Sequence, residues 1–173
     1  MTGGCARGRS RQCREPDRAD GMPVRIRRAL PEEAELLFRL RTAVRENHQS
    51  RAELAALGIT PESVAAMLRD EGRHAAWIAW SGAQEAAGFA MADAADATLF
   101  ALFVRPGFEG RGIGRRLLEA AEAWLAARGC AEARLLTGAA PGLRAPGFYR
   151  HLGWVEDGTA ADGQLRFRKP LRG

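Results

Sequence analysis

A chain of 173 residues is enough for one domain that buries roughly two thirds of its unfolded surface, so neither disulfides nor a structural metal is needed to hold it. Hydrophobic residues at 46% and charged residues at 27% are the proportions of a soluble globular protein. The longest apolar run, 97–104, is broken by Thr98 and falls far short of a bilayer span. The formal charge of +5 invites a nucleic-acid reading, but all but one of the 26 basic residues are arginine, Lys169 being the exception, a bias of composition rather than a binding code.

The N-terminal segment 1–22 carries five arginines against Glu15, Asp17 and Asp20 and almost no large apolar side chains. It cannot repay its ordering entropy, so it is expected to be a disordered basic tail, with the folded domain running over 23–173. It has no apolar core of the kind a secretory signal needs, which makes the cytoplasm the expected compartment. Cys5, Cys13 and Cys130 fit that setting: their number is odd and none has metal-ligand spacing.

From Pro23 onward helical and strand patterns alternate. Val24–Arg28 reads as a short strand, and Pro31 opens a helix whose Leu36, Leu37, Leu40 and Val44 form one apolar face. After an irregular stretch, Thr60 followed by Pro61 reads as a cap with proline in the first turn, leading to Val64, Met67 and Leu68. His74–Trp80 and Ala86–Asp93 flank a Ser81-Gly82 turn as a hairpin, and a third strand runs from Thr98 to Val104. The strongest helix spans Gly112–Arg128, with Ile113, Leu117, Ala121, Trp124 and Leu125 as its buried stripe and Gly129 as its stop. A strand over Ala131–Thr137, a helix over Ala145–Leu152 and strands at Trp154–Glu156 and Gln164–Lys169 complete the order βααβββαβαββ. Pro146 should hold Ala145 extended and delay that last helix.

Chemistry concentrates where the Thr98–Val104 strand meets the long helix. Strand, glycine-spaced loop and helix start together make an anion site, because the first N–H groups of a helix are unpaired and its dipole adds positive potential. Gly110, Gly112 and Gly114 let a backbone approach a diphosphate, and Arg105, Arg111, Arg115 and Arg116 surround the loop. The spacing G-x-G-x-G lies after four strands and so differs from the dinucleotide fingerprint G-x-G-x-x-G. The Gly-Lys-Ser/Thr of a nucleotide triphosphate loop is absent.

The stretch from Val104 to Leu118 resembles the acetyl-CoA-binding motif of the GNAT superfamily of N-acetyltransferases, Q/R-x-x-G-x-G/A, with Glu109 in the Q/R place. Phe148-Tyr149-Arg150-His151-Leu152-Gly153-Trp154 is similar to the same family's F-Y-x-x-x-G-F signature. The resemblance covers Val24 to Lys169 and implies a mixed α/β fold, a splayed central sheet flanked by helices, with CoA in a cleft between the fourth and fifth strands. It implies that Leu102, Phe103 and Val104 meet the pantetheine arm, with the Val104 N–H polarising the thioester carbonyl. Glu109, Gly110, Arg111, Gly112, Ile113, Gly114 and Arg115 would then cradle the pyrophosphate. Tyr149, the only tyrosine in the chain, occupies the place from which the family protonates the departing thiolate. Gly142 stands where the family often has an asparagine, and Arg144 is nearby.

For the base that frees the acceptor amine, Glu46 leads, with His48, Asp93 and Asp96 as the other candidates. The expected reaction is acetyl transfer from acetyl-CoA, as co-substrate and without a metal, to a primary amine of a small molecule or peptide. The alternatives are a non-catalytic acyl-CoA sensor, and acetylation of a protein N-terminus or an RNA-linked amine. No membrane partner is expected, nucleic acid is disfavoured, and a homodimer is compatible with the family. The acceptor itself leaves no mark in the sequence.

Overall fold

The computed structural model describes residues 23–44 and 49–171. Strand β1 (Val24–Arg28) alternates half-buried and exposed residues. A single 3-10 turn at Pro31–Glu33 follows, pinned by the Glu33 carboxylate, which accepts from the Leu30 N–H at 2.9 Å and from Arg27 at 2.7 Å. Helix α1 (Ala34–Ala43) buries Leu37, Phe38 and Leu40, and the chain leaves it at buried Val44.

The stretch read as irregular contains a further helix, α2 (Arg51–Ala56). Ser50 Oγ accepts from the Glu53 N–H at 3.2 Å while the Glu53 carboxylate accepts from the Ser50 N–H at 2.7 Å, a reciprocal capping box at the head of a six-residue helix. Leu54 alone anchors it to the core, which is why hydrophobic periodicity does not reveal it. Helix α3 (Pro61–Arg69) starts as its sequence foretells: Thr60 Oγ1 accepts from the Ser63 N–H at 3.2 Å and Pro61 fills the first turn. Its Val64 and Leu68 are buried, but Met67 is exposed, one step off the apolar stripe expected for it.

Strands β2 (His74–Ser81), β3 (Glu85–Asp93) and β4 (Thr98–Val104) form an antiparallel meander. β2 and β3 are buried almost throughout because helices cover both of their faces. On one face lies α4 (Ile113–Ala127), whose Ile113, Leu117, Leu118, Ala121, Trp124 and Leu125 pack against Trp77, Ala90 and Leu99. On the other face α1 and α3 pack against Ile78, Phe89 and Met91. After α4 come β5 (Glu132–Thr137), α5 (Ala145–His151), β6 (Val155–Thr159) and β7 (Leu165–Pro170). Ala145 lies inside α5, so Pro146 does not delay the helix; it sits in the first turn, where no donor is lost. Trp154 precedes β6 instead of opening it and is buried, its Nε1 donating to Glu122 Oε1 at 2.9 Å.

The seven strands run in the order β1-β2-β3-β4-β5-β7-β6. Only β4 and β5 are parallel, and their ladder holds at one register pair, Thr98 with Arg134. From there toward Val104 and Thr137 the two strands do not pair, so the sheet opens into a V with the free edge of β4 on one side. This is the mixed, splayed α/β sheet flanked by helices that the sequence implies.

Candidate functional site

The loop from Arg105 to Gly112 crosses the open end of the V. Its entry is fixed by the Arg105 N–H on the Ala87 carbonyl at 2.8 Å and a turn closed by the Phe108 N–H on the Arg105 carbonyl at 3.1 Å. Phe108 is buried, with the Arg105 and Arg111 guanidinium groups 4.7 and 5.1 Å from its ring centre, so one aromatic anchor and two cation–π contacts hold the loop down.

The first hydrogen bond of α4 runs from the Arg116 N–H to the Gly112 carbonyl at 3.1 Å. Among the described residues, none of the main-chain N–H groups of residues 110–115 has a protein acceptor. Gly112, the N-cap, has φ 72° and no side chain to satisfy them, and a Cβ there would meet no atom within 4 Å. Unpaired donors at the positive end of a helix, on a turn where Gly110 and Gly112 leave room, make a receptor for an anion.

Glu109 does not fill that receptor. Its carboxylate folds back along the loop and accepts from the Gly107 N–H at 2.6 Å, with Arg144 at 3.7 Å on its far side. Its own N–H, that of Gly107 and the Arg144 charge hold the Glu109 carboxyl below the ordinary carboxylate range. Of the arginines expected around the loop, Arg115 pairs with Glu119 at 2.8 Å, one turn on. Arg116 reaches away to the Val24 carbonyl at 2.7 Å.

The second motif packs directly on the first. A Cβ on Gly114 would lie 3.3 Å from the Phe148 ring and 3.6 Å from Val104 Cγ2, so the bare helix start is what lets α5 and β4 close in on it. Tyr149, the next residue, is 7% exposed, within an aromatic cluster of Phe148, Trp154 and Phe167 at ring separations of 5.3, 6.0 and 5.8 Å. Burial pushes its phenol well above the ordinary tyrosine value, so the resting group holds its proton at neutral pH.

On β4, Leu102 and Val104 lean toward the α4 face while Phe103 leans toward α1. Gly88, paired with Val104 across the ladder, allows β3 to approach so closely that a Cβ there would lie 2.5 Å from the Phe103 carbonyl oxygen.

Glu46 and His48 lie outside the described residues. Asp93 and Asp96 sit where β4 begins, at the joined end of the V, about 20 Å along the strand from Val104 at about 3.4 Å per residue. Asp93 is there a structural carboxylate: it pairs with Arg73 at 3.0 Å and His74 at 3.3 Å and accepts from the Ala95 N–H at 2.8 Å. Among the described residues no group of three or more His, Cys, Asp or Glu side chains is arranged to hold a metal ion, and no helix is long and apolar enough to cross a membrane.

Two participants escape a sequence reading. Glu122 joins α4 to Trp154 and, at 2.8 Å, to Lys169 on β7, fixing the aromatic cluster behind Tyr149. Arg41, on the last turn of α1, lies 4.4 Å over the Phe103 ring. Nothing in the local sequence separates it from the other helical arginines.

The splayed mixed sheet with unpaired main-chain donors at its open end is the architecture expected of the acyl-group transferases that the sequence resembles. The family model described as the acetyltransferase (GNAT) family matches residues 33–154, from the start of α1 to the edge of β6, and the chain belongs to that family: it is an acetyltransferase. Comparison with curated protein sequences gives no match. Among solved structures, the PaiA N-acetyltransferase of Thermoplasma acidophilum, in complex with coenzyme A, superimposes with a TM-score of 0.73 at 19% identity over 86% of this chain and 99% of that one. An acetyltransferase from Thermus thermophilus aligns at 27% identity and TM-score 0.62 over 86% of this chain and 97% of its own. The ribosomal-protein-S18-alanine N-acetyltransferase of Escherichia coli matches at 20% identity and TM-score 0.66, over 87% of this chain and 96% of that one.

Proposed function

We propose that this acetyltransferase moves an acetyl group from acetyl-CoA to a primary amine of a small molecule or peptide by direct attack, with Tyr149 protonating the thiolate that leaves. The observation that carries the reading is the run of unpaired N–H groups at residues 110–115 beside the open edge of β4. Those donors suit a pyrophosphate, and the edge of Leu102, Phe103 and Val104 suits the amides of a pantetheine arm lying in the V.

In this reading the neutral amine nitrogen bonds to the thioester carbon while the Val104 N–H steadies the charge gathering on the oxygen. The C–S bond then breaks and the sulfur takes the Tyr149 phenolic proton. The ammonium proton lost before attack goes to Glu46; the second proton, shed by the nitrogen as the intermediate collapses to the amide, passes to solvent, from which the phenolate formed at Tyr149 is reprotonated. Burial makes the phenol a weaker acid, which opposes donation to the thiolate, and favours its reprotonation once the thiol has left.

Replacement of Tyr149 by Phe tests the assignment. CoA affinity, read by calorimetry, should be preserved, and free-thiol release with an amine and peptide panel should fall by about tenfold or more. An unaltered rate removes the role from Tyr149. CoA binding without turnover on any amine would favour the sensor alternative.

A further inference from the structure

The α1 face of the V carries a cation that the chain itself leaves incompletely satisfied. Arg41 Nη2 donates to Gln49 Oε1 at 2.6 Å, and its guanidinium lies 4.4 Å over Phe103. Its Nη1 is enclosed and has no acceptor; among the described residues no other arginine has a buried N–H in that state. Other held arginines have anionic or carbonyl partners: Arg27 has Glu33, Arg73 has Asp93, Arg116 has the Val24 carbonyl and Arg128 the Gly72 carbonyl. Arg41 has a neutral amide and an aromatic face, and no carboxylate pairs with it among the described residues. Burial lowers its basicity, and no anion among the described residues opposes the shift.

Position gives this charge a task. Phe103 belongs to the half of β4 that does not pair with β5 and is the neighbour of Val104, yet its side chain faces α1, whereas Leu102 and Val104 face α4. Arg41 therefore stands on the opposite face of the sheet from the helix that would hold the donor. That is the face from which an acceptor has to approach a thioester threaded through the V.

We infer that Arg41 selects the acceptor: its guanidinium receives an acidic group, carboxylate or phosphate, on the same molecule as the amine, exchanging the Gln49 amide for a charged partner. The inference rests on the acyl-transfer reading of this cleft. It names amino acids, peptides bearing a nearby carboxylate and phosphorylated amines as the substrate class, ahead of plain alkylamines and polyamines. A fork of N–H donors over an aromatic face matches such a group in geometry as well as in charge.

Matched acceptor pairs test it: free amino acids against their carboxamides, and phosphoethanolamine against ethanolamine, assayed with wild type, Arg41→Gln and Arg41→Lys. The wild type should favour the acidic member by about tenfold or more in kcat/KM, mainly through KM. Arg41→Gln should bring the ratio near unity, and Arg41→Lys should keep part of it. Which pair shows the effect distinguishes carboxylate from phosphate. A wild-type ratio near unity, or one that survives in Arg41→Gln, overturns the assignment.

Calorimetry of N-acetylated amino acids and N-acetylphosphoethanolamine, each against its neutral counterpart, with CoA-loaded protein reads the same preference without turnover. If Arg41-dependent binding of the acidic form persists while no amine is acetylated, the catalytic reading fails and the anion site stands. If amines are acetylated with no preference for acid in rate or binding, the reverse holds. Equal melting temperatures of the three proteins would show that the variants fold; a destabilised Arg41→Gln with an intact preference ratio would assign Arg41 to structure alone.

Discussion

Tyr149 is the chain's sole tyrosine, so tyrosinate absorbance reports on this one phenol. Because burial raises its folded-state value, the unfolded chain loses the proton first as pH rises. The stability it contributes is complete below about pH 10 and is lost above it. An alkaline titration should therefore show no tyrosinate signal until the protein unfolds, and Tyr149→Phe should flatten the alkaline fall in stability; a phenol that titrates near its ordinary value in the folded protein would contradict its burial. Glu109 invites a second substitution. It places a negative charge at the head of a loop proposed to bind a diphosphate, while clipping the Gly107 N–H and facing Arg144. Glu109→Gln should keep the clip, remove the charge and tighten CoA binding by about threefold or more at low salt, an advantage that shrinks as salt is added. Weaker binding would mean that the carboxylate's grip on Gly107 shapes the loop more than its charge opposes the ligand. Of these residues Tyr149 and the glycines are legible from motif spacing. Arg41 is not, because its significance depends on which side of β4 Phe103 faces and on what Nη1 fails to meet.

At the scale of elements, long periodic segments can be read with little error. The stripe from Ile113 to Leu125 is buried as its period demands, and β1 and β4 occupy the spans expected of them. The short helix α2 escapes because one buried leucine cannot establish a period, although Ser50 and Glu53 carry the capping signal. The closeness of β3 to β4 is equally hidden, since a glycine in a strand does not announce what approaches it. Gly88→Ala places a methyl group 2.5 Å from the Phe103 carbonyl oxygen and must push β4 outward. It should cost about 1–3 kcal/mol of unfolding free energy, measured by urea denaturation, and lower turnover by displacing Val104. Gly112→Ala tests a different property, since open space surrounds its Cβ and only the φ of 72° is at stake. A loss of about 1–2 kcal/mol is expected there, with weaker CoA binding as the helix start relaxes; unchanged stability would show that the turn tolerates another conformation.

The whole molecule divides its labour between the two ends of β4. At the Thr98 end the sheet is continuous and braced by Asp93, whose burial would push its carboxyl up but whose contacts with Arg73, the Ala95 N–H and His74 hold it below the ordinary value. That brace is present above about pH 4 and is lost as the pH falls through the lowered value, so Asp93→Asn should show a shallower acid unfolding limb than wild type. At the Val104 end β4 no longer pairs with β5, and the V, the loop and α5 meet. The order of elements along the chain implies this architecture through a family resemblance. The position of the cleft follows from strand pairing, which composition and periodicity do not encode. Removal of residues 1–22 should leave CoA binding unaltered, as expected if the function belongs to the domain from Pro23 onward.

The most direct measurement is a titration with CoA followed by nitrogen–proton correlation spectra of the assigned main-chain amides. The N–H resonances of residues 110–115 should move together and saturate with the binding isotherm, while those of Asp93 to Thr98 stay in place. Binding that leaves the 110–115 signals unmoved, or no binding at all, would contradict the account.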